Sequence, residues 1–160
     1  MNSAPLETAD AARAITGPVG VYNRTVERLT AWIGHDVLAL AARFGIAGVF
    51  WLSGRTKVEG WITVSDNAIA LFADEYRLPL LPPEIGAHLA AYAEHLFPLL
   101  LVLGLGTRGA ALALLAMTAV IQVFVYPLAW PTHLVWAVAL LYLAGRGGGR
   151  VSLDHMLRLR

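Results

Sequence analysis

From Glu84 to Arg108 the chain reads EIGAHLAAYAEHLFPLLLVLGLGTR. The stretch is long and apolar enough to span a bilayer as a helix, yet it carries Glu94 and His95 in its interior. An ionised group at that depth costs a few kcal/mol or more, so it has to face a partner or a cavity. Pro98 stands four residues after Glu94 and has no N–H, so the Glu94 carbonyl loses its usual helical partner. A carboxyl, an imidazole and a freed carbonyl therefore sit at one level. Where their partners come from decides what a chain containing this stretch can fold into.

The rest of the chain supplies more lipid-compatible helix. Of its 160 residues 58% are hydrophobic and only 14% are charged, against about 25% charged in soluble domains. The expected fold class is an all-α integral membrane four-helix bundle with amphipathic interfacial helices. Spans are expected at about 36–54, 84–104, 107–126 and 132–144, within a membrane domain of residues 35–146. Residues 1–34 read as a small polar tail followed by an interfacial helix near 21–33, with Trp32 at headgroup level. No apolar run follows a basic start, so a cleaved signal peptide is not expected. Residues 58–83 form the one long connection. In it Ser65 or Asp66 caps a helix whose Ile69, Phe72, Ala73 and Tyr76 share a face. That helix is expected to lie on the membrane surface. Residues 147–160 read as a second interfacial tail capped by Ser152.

Basic residues suggest an orientation. With the N-terminus inside, the inner segments hold eight (Arg13, Arg24, Arg28, Arg108, Arg146, Arg150, Arg158 and Arg160) and the outer segments three (Arg55, Lys57 and Arg77). That bias favours both termini on the cytoplasmic side of a bacterial inner membrane. The net charge of +1 offers nothing to nucleic acid as a partner. With no cysteine, thiolate nucleophiles, disulfide relays and cysteine-held clusters are excluded.

Depth arithmetic then nominates contacts. Arg43 enters span 1 roughly 10 Å from the inner surface and Glu94 lies roughly 15 Å from the outer one, close enough for an ion pair. That Arg43–Glu94 pair either does intramembrane chemistry or only fixes helix register. Glu84, His88 and His95 fall within about 40° on span 2 and form one stripe. His133, Gln122 and Tyr126, with Arg55 and Lys57, sit near the same outer level. An outer polar vestibule is expected there. It suits a quinone head, with His88, His95, Gln122 and His133 as lining and Glu94 or a histidine moving protons. It also suits a metal ion held by Glu84, His88 and His133. Haem is disfavoured, because His88 and His95 share one helix.

These landmarks in order resemble the DoxX family of small bacterial membrane proteins over roughly residues 36–154. The resemblance rests on Arg43 followed by Gly54 and Lys57, and on Glu94 running into Gly104, Thr107 and Arg108. It closes with His133 and with Ser152-Leu153-Asp154. It implies a four-helix membrane fold and an association with redox work, one member being described as a subunit of a thiosulfate:quinone oxidoreductase. The expected function is a quinone-linked redox or oxidative-stress complex subunit, possessing no electron carrier of its own and working with a protein partner in the membrane or periplasm. The alternative is a non-enzymatic membrane anchor or metal-handling module that meets a periplasmic partner through the 58–83 loop. A homo-oligomer stays open.

Overall fold

The computed structural model describes residues 17–159. Residues 1–16 of the expected tail, with Arg13, and the terminal Arg160 lie outside the described residues. Helix α1 (Pro18–Trp32) opens with proline at its first position and leaves Tyr22, Leu29 and Trp32 exposed. Helix α2 (His35–Arg55) is the first span. A two-residue-per-strand hairpin follows, β1 (Val58–Glu59) against β2 (Thr63–Val64), paired antiparallel as Val58↔Val64 and Glu59↔Thr63. Helix α3 (Asp66–Leu71) starts at Ser65, whose hydroxyl accepts from the Ala68 N–H at 3.2 Å. Its last turn, Phe72–Tyr76, widens to π bonding and stops at Arg77, which has φ +43°.

Helix α4 (Pro83–Leu103) runs through Pro98 and ends at Gly104, with φ +68°. Helix α5 (Thr107–Val120) widens into a π turn over Ile121–Val125, closed by the Tyr126 N–H on the Ile121 carbonyl at 2.8 Å. A 3₁₀ turn at Pro127–Ala129 leads into helix α6 (Trp130–Arg146). A short helix α7 (Leu153–Met156) is capped by Ser152, as expected. Four segments are long and apolar enough to cross a membrane: His35–Arg55, Pro83–Leu103, Thr107–Val125 and Pro127–Arg146. The all-α membrane bundle read from the sequence is the observed fold.

Helix α2 packs chiefly on α4, and α5 on α6, with α2–α6 and α4–α5 contacts closing the ring. Ile46, Phe50, Leu101, Leu114, Leu140 and Leu143 fill the centre. The small residues of α2 divide. Ala39 and Ala47 are buried, whereas Gly45 and Gly48 face open space. The close approach to α4 is made at Gly54, where a Cβ would come within 2.9 Å of the His95 ring and 3.0 Å of the Glu94 Cβ.

The chain order defines two ends. One carries α1, the 104–106 turn and the 147–159 tail, and is here the termini end. The other carries the 56–82 connection and the 126–130 turn, and is the loop end. The connection does not merely lie on a surface. Phe72 is buried with Ala68 against Ala87 of α4, its ring filling the space that a side chain at Gly86 would occupy.

Candidate functional site

Among the described residues three charged side chains are buried, Arg43, Lys57 and Glu94, and Arg43 and Glu94 are not each other's partners. Arg43 of α2 is 2% exposed. Its Nε donates to the Leu101 carbonyl and its Nη2 to the Val102 carbonyl, both at 2.6 Å. Its Nη1 donates to the carbonyls of Gly148, at 3.1 Å, and Val151. The guanidinium thus ties α2 to the carbonyl end of α4 and to the tail after α6. Gly104 makes room for it: a Cβ there would lie 2.5 Å from the Ser152 Cβ and 2.8 Å from Arg43 Nη2. Asp154 closes the same end, accepting from the Gly106 and Thr107 N–H groups at 2.7 and 2.8 Å, at the start of α5.

Glu94, 3% exposed, takes Lys57 instead, with Nζ to Oε2 at 2.8 Å. Lys57 also reaches the Ser53 hydroxyl at 3.0 Å and the Ser53 carbonyl at 3.3 Å, so its three N–H donors are all used. The Ser53 hydroxyl donates to Glu94 Oε1 at 3.3 Å, closing a three-residue ring. The expected Arg43–Glu94 pair is therefore corrected. Antiparallel register sets Ser53 and Gly54 beside Glu94, and Arg43 beside Leu101 and Val102. Ten helical residues separate Arg43 from Ser53, about 15 Å of rise, which no arginine spans. The depth arithmetic counted from guessed span ends, and it ignored that a lysine just past α2 can reach back along its flexible stem.

The Lys57–Glu94–Ser53 ring lines a cavity of about 430 Å³ between α2, α4, α5, α6 and the π turn after α3. Most of its wall is apolar, including Phe50, Phe72, Leu89, Met117, Ile121 and Trp136. The other polar wall groups are Tyr76, Tyr126 and His133. Gln122 stands behind His133. Its amide nitrogen donates to the Pro127 carbonyl at 2.7 Å, which turns its oxygen toward His133 Nδ1 at 2.6 Å. His133 therefore carries its proton on Nδ1 when neutral and keeps Nε2 as an acceptor. Near the loop end the Tyr126 hydroxyl donates to Glu75 Oε1 at 2.8 Å, and its ring meets Tyr76 edge-on. Burial first, then the neighbouring Tyr126 and Glu75, hold the Tyr76 phenol protonated above its ordinary range. The bond to Glu75 does the same for Tyr126.

The histidine stripe does not join this site. His88 Nδ1 bonds back to the Glu84 carbonyl at 2.8 Å and lines none of the three cavities described for this protein. His95 Nδ1 bonds the Ala91 carbonyl at 2.6 Å, and its ring lies 4.9 Å from that of Trp51, in a separate groove with Trp61. The buried face of α4 is Ala87, Ala91, Glu94, Pro98 and Leu101. His88 and His95 each follow one residue later and are turned about 100° away from it. Steps of four and three between small or apolar residues were the readable signal for the inward face. The metal reading is corrected with it. Glu84, His88 and His133 do not converge, and among the described residues no three His, Asp or Glu groups could hold a metal ion. Tyr76, Phe72, Ser53 and Trp136 were not foreseen as wall residues. Lys57 was placed at the right level without its partner.

A bundle of four membrane-crossing helices with a mostly apolar, partly open chamber and a buried ion pair in its wall defines a multi-pass membrane protein with a polar site among its helices. Comparison with known sequences places it further. The DoxX family profile matches residues 38–127. The chain is also 33% identical over 139 residues to a protein of Haemophilus influenzae described only as uncharacterized, covering 79% of this chain and 87% of that one. No solved structure matches. The chain belongs to the DoxX family. The fold is the one the resemblance implied.

Proposed function

We propose that this protein is the quinone-binding membrane subunit of a redox or oxidative-stress complex, with the 430 Å³ chamber as the quinone site. The observation that carries the reading is the Lys57–Glu94–Ser53 ring set in the wall of an apolar chamber. The volume lies in the range of small-ligand pockets. A quinone head is flat and lipophilic, with carbonyl oxygens that gain protons when two electrons arrive. Its ring suits Phe50, Trp136 and Met117, and its oxygens can take a donor from Lys57 or Ser53 in exchange for one of the ring's own longer bonds, such as Lys57 to the Ser53 carbonyl at 3.3 Å. Glu94 holds or releases a proton beside them, and His133 Nε2 accepts one on the opposite wall. Electrons come from a redox-active partner protein. We place the loop end, with Trp61 and Leu80 more than nine-tenths or nearly so exposed, toward the periplasm of a bacterial inner membrane as the side that meets it.

Quinone extraction and titration test the proposal. Purified protein is expected to carry quinone or to bind an added short-chain analogue saturably. Glu94→Gln and Trp136→Ala are expected to weaken that binding at least about tenfold, the equivalent of one lost charge-assisted hydrogen bond. Wild-type protein that neither carries nor takes up quinone defeats the proposal.

A further inference from the structure

The termini end holds a second cavity, of about 490 Å³, in a different chemical setting. Three arginines line it. Arg108 comes from the first turn of α5, Arg146 from the last turn of α6 and Arg150 from the loop that follows. Arg108 is held in place by two N–H···O bonds to the exposed carbonyls of Ala144 and Gly145, at 2.9 and 2.8 Å. These bonds use Nη1 and leave Nε and Nη2 for another acceptor. Arg150 is positioned through its backbone, whose N–H donates to Asp36 Oδ1 at 2.7 Å.

The cavity also has two carboxylates, Asp36 and Asp154, and both are engaged by backbone N–H groups. Asp154 accepts from Gly106 and Thr107, and Asp36 from Arg150. Among the described residues neither lies within 4 Å of a guanidinium nitrogen of the three arginines. Among the described residues the three arginines thus make no direct ion pair, and with the two carboxylates they leave the hollow a formal charge of +1 (three arginines less two aspartates). Gly147 and Gly149, at φ +81° and +77°, turn the chain around this hollow between Arg146 and Arg150.

Geometry and charge together point to an oxyanion. A guanidinium presents N–H donors in a planar fork that matches two oxygens of a phosphate, and three forks around one hollow suit a tetrahedral anion better than a planar carboxylate. The hollow lies where three spans end and begin, at the depth of lipid headgroups. We propose that it is a binding site for a phosphate group, formed by Arg108, Arg146 and Arg150. It is separate from the chamber at the loop end and independent of what that chamber binds.

A phosphate can arrive on an anionic lipid or free in solution, and the test separates the two. Wild-type protein in detergent is titrated with phosphatidylglycerol, phosphatidylcholine and inorganic phosphate, reading bound adducts by native mass spectrometry and the shift in unfolding temperature. The test variant is Arg146→Gln/Arg150→Gln, both exposed positions whose side chains make no hydrogen bond among the described residues, so folding is preserved. The control is Arg24→Gln/Arg28→Gln, which removes equal charge from α1 outside the cavity. Saturable phosphatidylglycerol adducts, lost at least about tenfold in the test variant and kept in the control, establish a lipid headgroup site. The same pattern with inorganic phosphate establishes a soluble ligand. Equal loss in both variants, or no saturable binding of either phosphate form by wild type, overturns the proposal.

Discussion

Arg43 and Glu94 are buried to nearly the same degree, 2% and 3% exposed, in two helices that pack on each other, yet the fold treats them differently. Arg43 spends its donors on four backbone carbonyls, all at chain segments that end or follow a span. It lines none of the three cavities described. Glu94 is held by side chains alone, Lys57 and Ser53, and forms part of a chamber wall. The first arrangement replaces missing helix-end donors and so supports the backbone. The second keeps a titratable pair beside space a ligand could fill. Burial of a charge in a membrane bundle thus says little by itself. What it is bonded to, and whether a cavity touches it, separates an architectural charge from a candidate reactive one.

The contrast can be broken experimentally. The largest effect is expected for Arg43→Leu, which strips the Val102, Gly148 and Val151 carbonyls of their donor, leaves the Leu101 carbonyl the Gly104 N–H alone, and unties the tail from α4. A loss at the upper end of about 3–5 kcal/mol, read by thermal unfolding in nanodiscs, would leave little folded protein. Glu94→Leu is expected to cost nearer about 3 kcal/mol, because Lys57 can extend its ammonium toward the loop end. Adding Lys57→Met to it should restore stability to within about 1 kcal/mol of wild type while quinone binding stays lost. If instead Arg43→Leu proves no worse than Glu94→Leu, the division between the two sites fails.

A smaller effect sharpens the architectural half. Gly104→Ala should cost about 2–3 kcal/mol, from the left-handed backbone and from contact with Ser152 and Arg43. The loss should shrink in an Arg43→Leu background, since the two share one knot, and additive losses would show that they do not. The smallest belongs to the chamber rim. Tyr126→Phe removes the bond to Glu75 and should cost at most about 1 kcal/mol, because the bond is exposed. A larger stability loss would mean that the rim is structural after all.

The four spans were legible because lipid leaves a chain few options. Long apolar runs separated by Gly104–Gly106, or by Pro127 and Pro131, admit little besides antiparallel helices. The cap at Ser152 was legible too, and the one at Ser65 to within one residue, as Ser65 or Asp66, since a side-chain oxygen before a helix start acts locally. Glu94 was recognisable as a residue needing a partner, and His133 with Gln122 as neighbours at one level. The partner itself was not. Arg43 lies within α2 and Lys57 just past its end, and only the register of α2 against α4 decides which cation meets Glu94. The histidine stripe misled for a related reason. Periodicity shows which residues share a face but not which face turns inward, and here Ala87, Ala91 and Glu94 took the inside.

By itself the sequence determined that this chain spans a membrane four times and that its buried charges must be compensated, because hydrocarbon offers no alternative partner for backbone or charge. Only the tertiary structure decided that Arg43 closes the termini end through carbonyls, that Lys57 reaches Glu94, and that His88 and His95 stay outside the chamber. Those outcomes depend on rotations of about 100° and axial offsets of about 15 Å between helices. Such offsets are set by packing at Gly54, Gly86 and Gly104, contacts between residues far apart in the chain, and not by any local preference.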